Sequence, residues 1–427
     1  MLPEWEDLRE HASEIKEHTL THLADYLDEF SRNLESNGVI VHWAKDAQEF
    51  NEIAYSILAE HNVKKLVKSK SMLTEECEMN KYLIAKGIDV VETDLGERIL
   101  QLMNLKPAHI VVPAAHITRD EVGELFEKDG ISKDIGNHDP TYLTQCARYS
   151  LRQEFIEADA GMTGCNFGVA STGDCVVCTN EGNADMSTSI PKLHIVSMGI
   201  DKVIPNYDAL AVFQRLLARS ATGQSSVSFT SQFRKARPGA EMHVILVDNG
   251  RSNIIADQLH WRTAKCIRCG ACMNTCPVYR RSMGYSYNYF IPGPIGINLG
   301  MVHNPKKHSG NVSACSLCLS CDLVCPVKVA PGSQIYYWRQ ALEGFGTENK
   351  EKKYMSVAMT ELYEHPAIYS VATKYAHFAN IIPQKMMDVK LNPWSVGHDM
   401  PHFPKKTFHT LYKQMMEEEK EKEKGIK

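Results

Sequence analysis

Eight cysteines fall in two runs of identical spacing: Cys266, Cys269, Cys272 and Cys276 in CIRCGACMNTCP, and Cys315, Cys318, Cys321 and Cys325 in CSLCLSCDLVCP. Both read C-x2-C-x2-C-x3-C-P, the ferredoxin spacing for a cubane [4Fe–4S] cluster. Three thiolates on a tight loop wrap one cluster, and the fourth, on the departing helix, ligates the other. This assigns Cys266, Cys269, Cys272 and Cys325 to one cluster and Cys315, Cys318, Cys321 and Cys276 to the second. Crossed ligation holds two [4Fe–4S] clusters close enough for electron hopping. Pro277 and Pro326 turn the chain away after the last ligand. A zinc ribbon needs only one pair of CxxC knuckles, so two full runs argue against it.

Weaker candidates lie upstream. Glu181 and Asn183, in TNEGNAD, follow a strand in a Gly-rich stretch. A carboxylate there can act as base or nucleophile, or simply cap a turn. Lys68 and Ser69 open the run KSKS at a strand end before a helix, a place that binds anions through helix N–H groups or is a solvated loop. Cys175 and Cys178 form a lone CxxC in an apolar β-like run, read as small buried side chains. Cys77, Cys146 and Cys165 are isolated and structural. His109, His116 and His194 are scattered and show no ligand spacing.

The elements that must position these residues alternate. From about Leu20 to Val247, helix and strand signals take turns, which predicts a parallel sheet covered on both faces. LTHLADYLDEFSRNLESNG and DAQEFNEIAYSILAEHN read as helices, the second capped by Asp46. TEECEMNKYLIAKG reads as one helix with Thr74 at its N-cap. VIVHWA, VKKLVKS, IDVVETD and HIVVPAA read as strands, with KLHIVSMGI and EMHVILVDNG as closing strands. Between the cysteine runs, YSYNYFIPGPIGINLGMVHNP reads as a shaped loop. The expected organisation is residues 1–60 as a helical lead-in, 61–250 as an α/β domain, 255–335 as the two-cluster domain, and 336–427 as helices, a Pro-punctuated stretch and a charged tail.

The 427 residues carry a formal charge of -5, with no basic surplus for nucleic acid. The N-terminus has no signal-peptide stretch and no segment reaches membrane-span length. The expectation is a cytoplasmic protein, with a peripheral seat on a membrane complex left open. Thirteen cysteines in such a chain point to metal rather than disulfides.

KSKSMLTEECEMNKYLIAKGIDVVETDLGERILQL, PAHIVVPAAHI, AGMTGCNFGVASTGDCVVCTNEGNAD and KLHIVSMGIDKVIP resemble the LUD domain. With the twin cysteine runs, the chain resembles the LutB-like L-lactate utilisation iron–sulfur proteins from about Glu60 to Pro326. The resemblance implies a LUD domain of NagB/RpiA/CoA-transferase-like α/β fold, followed by an α-helical two-cluster ferredoxin domain. The long separation of the cysteine runs resembles the ferredoxin domains of succinate dehydrogenase and heterodisulfide reductase subunits. The resemblance also implies an electron-transfer subunit in cytoplasmic oxidation of L-lactate to pyruvate. Its partners would be a CCG-domain cysteine-rich subunit, a second LUD-domain subunit and a downstream acceptor. Two departures stand out: Asp185 where the family has Arg, and a shorter, less clearly matching tail after Pro326. No GxGxxG follows a strand, which favours a relay. The alternatives are a LUD domain that itself turns over a small acid or thioester through Glu181, a subunit of another heterodisulfide-reductase-like complex, or a scaffold whose clusters only stabilise the fold.

Overall fold

The structure, a computed structural model, describes residues 3–345, 350–383, 386 and 401–425, in two units divided near Gly346. In the first unit six strands form an all-parallel sheet in the order β1-β10-β7-β4-β2-β3. They are β1 (Ile40–Ala44), β2 (Lys65–Lys68), β3 (Asp89–Glu92), β4 (Ala160–Gly164), β7 (Leu193–Gly199) and β10 (Glu241–Val247). Every residue of β4 and β7 is buried. The sheet's two faces feed separate cores, as the alternation of side chains along a strand requires. Ile195 and Ile245 pack with Phe50, Leu58 and Met79 on one face; Val196, Val244 and Leu246 pack with Phe30 and Leu34 on the other. KLHIVSMGI and EMHVILVDNG are thus neighbouring interior strands of the sheet.

A second sheet, ordered β8-β5-β6-β9, contains β5 (Phe167–Val169), β6 (Asp174–Thr179), β8 (Val203–Ile204) and β9 (Phe229–Phe233). The helix Tyr207–Thr222 backs it, with Phe213 stacked on Phe167 at 5.2 Å. Asp46 caps its helix as expected, accepting from the Glu49 N–H.

Two expectations are corrected. TEECEMNKYLIAKG is not one helix capped by Thr74. It is Met72–Glu76, capped by Ser71, and Met79–Ala85, separated by Glu78 at φ 50. The Asn51 amide takes the Cys77 carbonyl where the helix breaks. HIVVPAA is not a strand but a looped segment. His109 Nδ1 accepts from both the Val111 and Val112 N–H groups, and the Ala108 N–H donates to the Pro113 carbonyl. Local bonds of this kind compete with a sheet ladder. The outward groups of the loop bind the cysteine segment instead: Tyr279 Oη donates to the Ala108 carbonyl, and His109 Nε2 lies 3.1 Å from Asn274 Oδ1.

The helix Trp5–Thr21 ties the α/β body to the cysteine segment. Arg9 Nε donates to the Cys325 carbonyl, Lys265 Nζ to Ser13 Oγ, and Lys16 Nζ to the Asp201 carbonyl. The second unit contains helices Lys350–Glu364, Pro366–Tyr375 and Phe408–Gly425, the last carrying most of the charged tail. Much of the Pro-punctuated stretch lies outside the described residues. No described helix is long and apolar enough to cross a membrane.

Lys68 is fully buried, 2.9 Å from Glu92, with Glu75 at 3.7 Å and Glu97 at 3.9 Å. Burial opposes its charge, but the carboxylates hold the ammonium's pKa above its ordinary value. Burial pushes Glu97 well above the usual carboxylate range. Lys68→Met strands Glu92 without its cation, so stability should fall by about 3–5 kcal/mol in denaturant titration.

Candidate functional site

The cysteine segment is built of short helices: Ala271–Thr275, Pro277–Ser282, Gly293–His303, Pro305–Ala314, Ser320–Val324 and Pro331–Ala341. The expected shaped loop between the runs thus contains a helix, Gly293–His303. Pro294 sits in its first turn, and residues Gly293 to Met301 are all buried. A Cβ on Gly296 would lie 1.7 Å from the Ile291 carbonyl oxygen, so glycine here serves close packing inside a helix. Pro277 likewise opens a helix, behind Cys276 as N-cap.

The two cysteine runs share one backbone design. Arg268 and Gly270 have φ of 59° and 77°, and their equivalents Leu317 and Leu319 have φ of 53° and 58°. Left-handed residues at matching positions curl each loop inward. The Arg268 and Leu317 N–H groups lie 3.4 Å from the sulfurs of Cys266 and Cys315. The Val329 and Tyr279 N–H groups lie 3.3 Å and 3.5 Å from the sulfurs of Cys325 and Cys276. Cys266, Cys269, Cys272 and Cys325 line one small cavity walled by Ile110, Ile267 and Ile295. Burial pushes the Cys269 and Cys272 thiols well up, and the Cys325 thiol up to about 11. Thiols so protected from ionising need a cation to release their protons, and this donor set suits iron.

A second cavity, of about 320 Å³, opens at the C-terminal ends of β2, β4 and β7. That is where open parallel sheets bind ligands. Ser69, Gly164, Ser197 and Gly199 line it from the sheet, and Ile267, Arg268 and Cys269 from the first cysteine loop. Glu181 and Asn183 line it too. Glu181 Oε2 accepts from the Leu95 N–H at 3.2 Å and from Asn183 Nδ2 at 3.3 Å. Burial, reinforced by Asp94, pushes the Glu181 carboxyl up to about 7.

Lys68, by contrast, is not among the lining residues, and its ammonium is engaged by the carboxylates described above. Ser69 is buried at 3% exposure, and its Oγ has no hydrogen-bond partner. Cys165 and Cys178 line the cavity, while Cys175 is fully buried in the core on the other side of β6. Asp185, in the position of the family's Arg, accepts from Ser231 Oγ at 2.7 Å. His194 is buried beside Thr163, and burial lowers its pKa to about 3.

Sequence reasoning missed Asp94 and Arg268 in this cavity, whereas Lys70 lies inside the KSKS run it singled out. Asp94 carries a readable signal, since it caps the helix Leu95–Met103. Arg268 occupies a variable position inside the cysteine run, where spacing says nothing about its direction.

The chain matches the LUD domain over residues 27–249, a 4Fe-4S dicluster domain over 262–329, and "Lactate utilisation protein B, C-terminal" over 340–417. The last match carries the resemblance past Pro326, where a shorter and less clearly matching tail was expected. Lactate utilization protein B of Oceanobacillus iheyensis is 38% identical, over 98% of this chain and 90% of its own length. The protein of that name from Bacillus pumilus is also 38% identical, with the same coverage. "Uncharacterized electron transport protein YkgF" of Escherichia coli K12 is 35% identical over 98% of this chain and 90% of its own.

The pH dependence of Glu181 follows from its raised pKa. Its protonated form is favoured by folding, so its contribution is fully present below about pH 4.5 and is lost as pH rises through about 7. Thermal melts between pH 5 and 8 should show stability falling with pH, and Glu181→Gln should flatten that fall.

Proposed function

The chain belongs to the lactate utilization protein B family, and from that premise we propose that it is the electron-transfer subunit of a cytoplasmic complex oxidising L-lactate to pyruvate. Its cysteines would hold two [4Fe–4S] clusters, one on Cys266, Cys269, Cys272 and Cys325, the other on Cys315, Cys318, Cys321 and Cys276. Such clusters supply one-electron steps. The observation that carries the crossed assignment is the placing of Cys325. It lines one cavity with Cys266, Cys269 and Cys272. Cys315 in turn feels Cys276 and Cys318.

The two loops face different surroundings, which supports a directional role. The first is packed against the α/β body: a Cβ on Gly270 would lie 3.1 Å from the His109 ring. The second opens to solvent, with Cys318 exposed, Leu319 43% exposed and Leu323 75% exposed. An exposed apolar rim beside a redox centre suits a transient protein contact. Its occupants in this reading are the cysteine-rich CCG-domain subunit, the second LUD-domain subunit or the downstream acceptor. The relative from Escherichia coli is itself named as an electron transport protein.

Anaerobically isolated chain should carry about eight irons, and L-lactate with the partner proteins should bleach its visible absorbance. No bleaching with a full iron complement rejects the relay. Cys266→Ala/Cys325→Ala tests the crossing. If both residues serve one cluster, the double variant keeps about four irons; if they serve different clusters, it loses nearly all.

A further inference from the structure

Among the described residues, one cation at the strand-end cavity has no direct ion-pair or side-chain hydrogen-bond partner. Arg251 is paired with Glu76 at 2.8 Å and Asp201 at 2.7 Å, and Lys202 with Asp201 at 2.6 Å. Lys70 donates to the Val111 carbonyl at 2.7 Å and lies 3.7 Å from Asp94. Arg268 lines the same space, yet among the described residues no ion pair and no side-chain hydrogen bond engages its guanidinium. Its Nη1 is buried without a partner. Burial opposes the guanidinium's charge, while Cys266, Asp201 and Glu76 favour it without direct contact, so its planar fork stays free to match a carboxylate. Ser69 provides a second unpartnered group, 3% exposed and lining the cavity.

We propose that this cavity binds a short-chain 2-hydroxy or 2-oxo monocarboxylate, with Arg268 gripping the carboxylate and Ser69 Oγ donating a further hydrogen bond. The choice of acid rests on the proposed function; the anion site rests on the unpaired groups. Glu181 faces the same space and, once ionised, can accept from a 2-hydroxyl. Met72, Val111, Leu217 and Ile267 provide apolar wall for an alkyl substituent. The volume of about 320 Å³ exceeds a three-carbon acid, leaving room for ordered water or a longer chain. Because Cys269 lines the same cavity, the acid would lie against the first cysteine loop.

Pyruvate and L-lactate are the probes, titrated calorimetrically into the anaerobic, iron-loaded full chain, with propionate and inorganic phosphate as comparators. The expected result is saturable binding of pyruvate or lactate at one site, preferred over both comparators. Arg268→Gln should weaken it about ten- to a hundredfold, and Ser69→Ala by a smaller factor, with iron content unchanged. Pyruvate should also perturb the EPR signal of the dithionite-reduced wild type but not of Arg268→Gln.

No saturable binding to iron-loaded chain overturns the proposal. So does Arg268→Gln that shifts the cluster signal yet binds as wild type, which would make Arg268 only a countercharge to the first cysteine loop. Phosphate binding as well as pyruvate overturns the acid class. If Arg268→Gln loses iron, Ser69→Ala decides: unchanged affinity counts against the site. Failure here is distinguishable from failure of the relay. Chain that binds no acid can still be bleached by lactate with the partner proteins, and chain that binds acid can fail to bleach.

Discussion

The junction between the sheet and the cysteine segment turns on one buried carboxylate, Asp201. It lies just beyond β7, 2.7 Å from Arg251 and 2.6 Å from Lys202. Arg251 continues to Glu76 at the end of the helix Met72–Glu76, Lys202 Nζ reaches the Cys266 carbonyl at 3.0 Å, and Lys16 from the first helix donates to the Asp201 carbonyl. Burial alone would raise the Asp201 pKa, but Lys202 and Arg251 more than offset it and hold the carboxyl far below its usual range. One ionised side chain therefore fixes the strand ends, the first helix and the first cysteine loop against one another. Buried ion pairs of this kind give position more than net stability.

That positioning explains why two loops of equal spacing have unequal neighbours. Gly270 and Leu319 hold the same left-handed place in their runs. Glycine stands where the His109 loop presses in, and a Cβ there would lie a tight 3.1 Å from the imidazole ring. Leucine stands at the matching place on the second loop, 43% exposed, although the left-handed region costs it more. The chain has thus spent conformational strain on the open side and removed bulk on the closed side.

The cysteine spacing and the parallel layering were legible because each rests on a local rule: ligand geometry for the first, alternation of buried periods for the second. What escaped depends on contacts remote in sequence. HIVVPAA has the composition of a buried strand; Ile110 and Val111 are indeed packed, but against the cysteine segment rather than between strands, and Val112 is half exposed. Gly293–His303 is apolar on every side, so no helical stripe distinguishes it from a loop of similar content. Thr74 was a reasonable cap by type; Ser71, three residues earlier, takes that role by accepting the Thr74 N–H. At the candidate site, Glu181 and Ser69 were visible as polar groups at strand ends. Arg268 was not, because its meaning comes from having no direct side-chain partner among the described residues, which only the folded chain reveals.

The contact between Arg9 and the Cys325 carbonyl spans 316 residues. A nascent chain leaves the ribosome with its first helix long before that carbonyl exists. The sheet can close in the meantime, since its last strand ends at Val247. The opening helix can dock on that body through Lys16 and the Asp201 carbonyl, but Arg9 gains its partner only when the second cysteine run has folded back. Assembly of the metal-bearing half is therefore a late event that locks an early one, and a chain truncated before Cys325 would leave Arg9, at the start of the first helix, without that partner.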